Sequence, residues 1–396
     1  MHQKGEFKPG LFLLAEAIIF VSLVVRPSRY RWILFVPISS ICVYLVLFTT
    51  CERNAVNNIV ACNLFILIFT SLDLVVLTDV QNELRLIGQK TPISTASLSS
   101  RFWWALRLLH SPRGIGWAHE PTAHIRPHPT TSRARFLLDQ LLRTVKYILI
   151  FDVARVLSFS NPYFQKGGLS LTDAGWVWRS TVLAHVVTSY TSLSVIYTVY
   201  SIVSVALGLT APGDWPHLFG YVGDAYTVRR SWGRVWHQLL RRFLQVESDF
   251  VAYKIVGLPR KGTFTTYFKL FVAFSISGLI HYMGDYAVLG HWSGGGLICF
   301  VLQAVAITFE DAVIEIASKF GFAQPTPMKK FLGYIWVAAW FTYSLPIWTA
   351  PHLTAGFLED DVQFSPIMGL SRGEWYPKPD PVNVLSTALS KIISVT

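Results

Sequence analysis

Two histidines in this sequence stand where a titratable side chain is expensive or out of place. His281 lies inside the apolar run 268–290, which begins FKLFVAFSISGLIHYMGDYAVL. Ser277 precedes it by four residues and Asp285 follows by four, so a helix places all three on one face. An imidazole changes charge near neutral pH, and a carboxylate beside it can fix its tautomer and stabilise its protonated form. The row therefore has the parts of a general base with its support. The plainer reading is a histidine that hydrogen-bonds between helices. Gly278 would thin the helix beside His281 and let another helix or a ligand approach. Glu310 and Asp311, in the next apolar run, could line the same cavity or pair with loop arginines.

The second histidine is His237, in SWGRVWHQLLRR (231–242). On a wheel of about 100° per residue, Trp232, Trp236, Leu239, Leu240 and Phe243 gather on one side of 229–243. Arg230, Arg234, His237 and Arg241 gather on nearly the opposite side. Two readings fit this wheel. In one, the segment is an interfacial helix whose arginines meet anionic lipid. In the other, the cation row receives a polyanionic ligand, for which the planar fork of arginine is suited. A histidine among arginines should have a lowered pKa and be neutral at pH 7, able to hydrogen-bond a ligand.

The elements that must position these residues belong to a membrane protein. The 396 residues are 52% hydrophobic and 14% charged, with a mean hydropathy of +0.42. A soluble domain carries roughly 25% charged residues. Crossing the hydrocarbon takes roughly 20 apolar residues. Eight windows qualify: 10–25, 32–50, 57–77, 144–160, 180–208, 268–290, 297–318 and 332–350. The fourth contains Lys146, Asp152 and Arg155, and the fifth is long enough to be tilted or broken. The expected fold is all-α: one domain over 1–396, a bundle of about eight transmembrane helices with amphipathic interfacial helices in its loops. RFWWALRLLH (101–110) is one such aromatic and basic segment, and 229–243 the other.

The net charge of +11 would suggest nucleic acid on a soluble protein. Here it follows the positive-inside pattern. Loop 26–31 holds three arginines and no acid; loop 78–143 holds nine Lys/Arg against four acids; loop 209–267 holds eight against four; loop 319–331 holds three lysines and no acid. Eight spans put all four basic loops on the cytoplasmic side and both termini in the lumen. Gly10–Val25 followed by RPSRYR suits a retained signal anchor rather than a cleaved secretory signal. Cys42, Cys51, Cys62 and Cys299 make no CxxC pair and read as small buried side chains. His119, His124 and His128 lie in a proline-rich loop without ligand-like company, so no metal is expected.

Several stretches together resemble one family. PGDWPHLFG (212–220), YTVRRSWGRVWHQLLRR (226–242) and FSISGLIHY (274–282) are similar, in that order, to elements of the wax-synthase-like branch of the membrane-bound O-acyltransferases. SPRGIGW (111–117) resembles a segment of its fungal members, and QAVAITFEDA (303–312) resembles the stretch after the histidine span. The match covers roughly 100–345. One departure is Ser231, where the motif commonly has Phe.

The resemblance implies that His281 is the catalytic histidine and His237 the polar residue of the tryptophan-rich motif. It implies an acyl-CoA co-substrate, a hydrophobic alcohol acceptor and a site in the endoplasmic reticulum membrane. Fungal members that look like this chain are implied to move acetyl from acetyl-CoA to terpenoid or meroterpenoid hydroxyls in secondary metabolism. Long-chain wax or sterol ester synthesis is the alternative within the class. The expected coenzyme A contacts are Arg230, Trp232, Arg234, Trp236 and Arg241, with Arg113 a weaker candidate and Ser277 and Asp285 as support for His281. A transporter would more often show inverted repeats, and none is visible. A membrane terpene cyclase would rely on acids such as Glu310 and Asp311. The residues leave the oligomeric state open.

Overall fold

The computed structural model describes residues 4–159, 161–321, 326–358 and 364–376. Its α-helices run in chain order α1 (Pro9–Val24), α2 (Phe35–Phe48), α3 (Asn54–Ser71), α4 (Val80–Glu83), α5 (Leu98–Leu109), α6 (Arg133–Phe159), α7 (Trp176–Ser180), α8 (Val182–Ala206), α9 (Val228–Arg230), α10 (Arg241–Phe250), α11 (Thr263–Leu289), α12 (Gly296–Lys319), α13 (Pro327–Thr354) and α14 (Pro366–Arg372). The described strands are two-residue pieces, Gly5–Glu6 and Thr49–Thr50, paired in parallel.

Each of the eight apolar windows falls on a helix. Among the described residues, five helical stretches have the length and apolarity to cross a membrane: Arg31–Phe48, Asn54–Leu77, Trp176–Ala206, Thr263–Leu289 and Gly296–Lys319. The chain is thus a helical membrane protein. Helix α1 is apolar but has only 16 residues, and α6 and α13 have the length, 27 and 28 residues, without the apolarity. Residue 160, the last of the fourth window, and residues 359–363 and 377–396 lie outside the described residues.

The chain divides into two compact units. The first comprises residues 1–125 and 232–316, the second 126–231 and 317–396. In the first, Ala15, Ile19 and Leu23 of α1 join Ile38, Cys42 and Leu45 of α2 and Leu64 of α3 in one buried core. Small residues let α11 close on its neighbours. A β-carbon at Gly278 would stand 3.1 Å from the Leu297 backbone of α12, and one at Gly284 would stand 2.7 Å from Cys62 Sγ of α3. Helix α5, the expected interfacial segment around 101–110, buries Arg101, Trp104, Ala105 and Leu108 on one face and exposes Phe102 and Trp103.

The second unit is built on the α6–α8 pair, where the Thr144 hydroxyl donates to that of Thr198 at 2.8 Å. The charges that made the fourth window doubtful are largely answered inside the protein. Arg155 pairs with Asp152 at 3.3 Å with both side chains buried, and Asp152 also accepts the Ile367 N–H. Paired charges are the form in which intramembrane ions are tolerated.

Candidate active site

Helix α11 carries His281 in the first unit. The imidazole lies face to face with Phe300 of α12, with ring centroids 4.3 Å apart and planes 14° apart. On its Nδ1 edge stands the thiol of Cys62 from α3, at 4.0 Å. The histidine is therefore held by three helices.

The same α12 face holds the tryptophan-rich segment. Trp232 packs on Phe300, Phe274 and Trp236, with centroids 5.6, 6.1 and 5.8 Å away. Its indole N–H donates to Gln303 Oε1 at 3.4 Å, and Gln303, fully buried, also donates to the Cys299 carbonyl at 3.0 Å. Trp236 contacts the ring of His237. His237 is pushed down to about 3, first by burial, then by the charges of His281 and Arg113. The depression expected from neighbouring arginines is present, but desolvation leads it. His237 is neutral at physiological pH and near enough to His281 to feel its charge.

The single helix expected over 229–243 does not form. The chain is α-helical only to Arg230, makes a π turn over Ser231–Val235 and leaves helical geometry until α10 begins at Arg241. Side chains take the carbonyls that the broken ladder releases. His124 Nδ1–H donates to the Gly233 carbonyl at 2.8 Å, and Gln238 Nε2 donates to those of Trp236 and Trp232 at 2.6 and 3.1 Å. These bonds satisfy the requirement that buried peptide groups be paired, and the expected face of cations is lost with the helix.

The arginines accordingly have separate roles. Arg230 lies in the second unit, where it pairs with Asp224 at 2.6 Å and covers the Tyr226 ring. Arg241 donates to Gln238 Oε1 at 2.9 Å and to His124 Nε2 at 3.0 Å, which fixes His124 as the neutral Nδ1–H tautomer. Burial, then Arg241, holds the pKa of His124 below its ordinary value. Arg234 is exposed. Arg242, absent from the sequence-based contacts, binds the buried carboxylate of Asp73 at 2.9 Å.

Asp285, expected beside His281, is fully buried, and its Oδ2 accepts the N–H of Gly296, the first residue of α12, at 2.7 Å. Gly294 makes room for it: a β-carbon there would overlap the Asp285 side chain. Ser277 is buried one turn before His281. Asp311 accepts the Tyr267 hydroxyl at 3.0 Å, and Glu310 is buried.

Arg113 is buried in the loop between Ser111 and Glu120. The loop turns through positive φ at Gly114 and Gly116 (+67° and +78°), where glycine is favoured. The Gly116 N–H donates to Glu120 Oε2 at 2.8 Å, and the His119 ring fills the space over Gly114.

Sequence reasoning missed Cys62, Phe300 and Gln303. Cys62 looked like packing and Phe300 like one more apolar residue of a span. Gln303 alone carried a signal, as an amide within a hydrophobic run.

A polytopic helical protein with paired histidines in one unit defines a class, and comparison of the sequence with known proteins names it. The profile of the Membrane bound O-acyl transferase family matches residues 215–302, which contain both His237 and His281. A second profile, the Aspirochlorine biosynthesis protein F C-terminal domain, matches 132–206. The acetyltransferase eriL of Hericium erinaceus is 37% identical over 377 residues, covering 92% of this chain and 96% of that protein. The acetyltransferase ple2 of Rhodocybe pseudopiperita is 37% identical over 375 residues, covering 94% and 98%. The O-Mevalon transferase macI of Penicillium terrestre is 34% identical over 288 residues, covering 66% and 65%. No solved structure matches the chain. The chain belongs to the membrane-bound O-acyltransferase family, and it is an acyltransferase enzyme.

Proposed function

We propose that this enzyme transfers acetyl from acetyl-CoA to a hydroxyl of a hydrophobic terpenoid or meroterpenoid, with His281 as general base. The observation that carries the proposal is the pairing within one unit of a membrane-helix imidazole, edged by Cys62 and faced by Phe300, with a neutral, half-buried His237. His281 takes the proton of the acceptor hydroxyl, help typically worth about 10²–10⁴-fold. The oxygen attacks the thioester carbonyl carbon and a tetrahedral oxyanion forms. Neutral His237, or a backbone N–H beside it, donates to that oxyanion. The C–S bond then breaks, and the thiolate recovers the proton from His281.

The exposed Arg234 is the arginine of the row that reaches for the coenzyme A phosphates, while Arg230 is paired with Asp224 and Arg241 bonds Gln238 and His124. Trp232 and Trp236 wall the site rather than contact the phosphates. The basic loops support a site at the cytoplasmic face of the endoplasmic reticulum membrane, with both termini in the lumen.

Feeding membranes that contain the enzyme labelled acetyl-CoA and palmitoyl-CoA in competition tests the donor. Incorporation of acetyl into a terpenoid alcohol is the expected result, and dominant palmitoyl ester formation overturns it. The relative named an O-Mevalon transferase favours, as a second reading, a donor bulkier than acetyl.

A further inference from the structure

We propose that Cys62 is a positioning residue for His281: its sulfur accepts the Nδ1–H hydrogen bond and holds the ring in the tautomer that keeps the basic lone pair on Nε2. This inference rests on the reading of His281 as the base.

The support a catalytic imidazole needs is an acceptor at the nitrogen that does not react. The sequence nominated Asp285 for that place, and the Oδ2 of Asp285 accepts the N–H at the start of α12. What stands at Nδ1 is Cys62 Sγ, at 4.0 Å. A thiol has one hydrogen to give and weak acceptor capacity on sulfur. The hydrogen of Cys62 has two oxygen acceptors, the Ile280 carbonyl of α11 at 3.6 Å and Asn58 Oδ1 at 4.0 Å. With the S–H directed to oxygen, the sulfur presents lone pairs to Nδ1, and the compatible tautomer carries its hydrogen there. Nε2 is then the basic nitrogen.

The surrounding packing holds this arrangement. Gly284 lies one turn beyond His281, and a β-carbon there would come 2.6 Å from Asn58 Nδ2 and 2.7 Å from Cys62 Sγ. The absence of a side chain at 284 is what brings the thiol to the imidazole edge. Phe300 covers the ring face, so rotation of His281 away from Cys62 breaks the stack. Three features of three helices thus converge on one ring orientation.

The experiment compares Cys62→Ala, Cys62→Ser and His281→Ala in membranes, with protein level measured and kcat, KM and the pH profile of kcat/KM recorded. The expected result for Cys62→Ala is a fall in kcat of roughly two- to tenfold, the range of one neutral hydrogen bond, with KM for acetyl-CoA unchanged. Loss of the acceptor also disfavours the imidazolium, which carries the same Nδ1–H, so the acid limb moves to lower pH. Cys62→Ser supplies an oxygen acceptor and restores both kcat and the limb. Wild-type kinetics in Cys62→Ala overturn the proposal, as does an equal loss in the Ala and Ser variants with the limb unmoved. Should the Ala variant fail to accumulate, the Ser variant decides: a reduced kcat with an unmoved limb overturns the role. Full turnover in His281→Ala would remove the reading beneath this one, whereas an inactive His281→Ala with normal Cys62 variants removes only the role of Cys62.

Discussion

The Asp285 carboxylate on α11 accepts the backbone N–H of Gly296 at the start of α12, at 2.7 Å. The bond ties the histidine helix to the helix that supplies Phe300 and Gln303, across a turn that Gly294 keeps open.

That assignment separates two chemistries for Asp285. An anchor needs only an acceptor, so Asp285→Asn should keep turnover within a few-fold of wild type. Asp285→Ala should lower thermal stability by about 1–3 kcal/mol, the cost of a buried N–H left without a partner. In a catalytic triad the acid-to-amide change costs on the order of 10⁴-fold in kcat. Steady-state rates of the two variants, normalised to protein level, decide between anchor and catalytic acid.

His237 makes a prediction with a definite sign. Its folded value, about 3, lies below the ordinary 6.5 because burial, then His281 and Arg113, oppose its charge. Between those values the unfolded chain binds a proton that the folded protein excludes, so stability is present above about 6.5 and is lost as pH falls toward 3. His237→Asn removes that titration and should reduce acid sensitivity in thermal unfolding between pH 6.5 and 4. The amide still donates, so its kcat should stay near wild type with the acid limb unchanged, whereas His237→Ala should lose about 10²-fold, the scale of one oxyanion donor. If the acid limb vanishes in His237→Asn, His237 rather than His281 is the titrating group.

Glu247 works in the opposite direction. Burial, then the charge of Asp73, pushes its carboxyl up to about 9 from 4.5, so the folded protein holds a proton the unfolded chain has released. Its contribution to stability is therefore lost as pH rises from about 4.5 to about 9. Glu247→Gln, a neutral side chain of the same shape, should raise the Tm of detergent-solubilised protein at pH 8 and leave it nearly unchanged at pH 5. An equal Tm shift at both pH values contradicts a protonated Glu247.

Much of this architecture was legible in the sequence because membrane helices announce themselves by long apolar runs: each of the eight windows is helical over most of its described length, and five of the helices are long and apolar enough to cross a membrane. His281 stood out because an imidazole in such a run is costly. The path of 229–243 was not legible. A wheel assumes a continuous ladder, whereas this ladder breaks where His124, over a hundred residues earlier, takes the Gly233 carbonyl. The arginine row failed for the same reason, since Arg230 and Arg241 answer to Asp224 and to His124 with Gln238. Asp285 was correctly placed on the face of His281, but helical spacing cannot show that Gly296 takes its carboxylate. Cys62 was invisible because the contact that gives it a role spans α3 and α11.

The central claim is that His281 is the base in acyl transfer. Its most direct test is His281→Ala in microsomes, with transfer of labelled acetyl from acetyl-CoA to a terpenoid alcohol measured at matched protein level. Loss of turnover by two orders of magnitude or more, the upper part of the range for a general base, with normal accumulation, is the predicted result. Wild-type turnover in that variant would contradict the account.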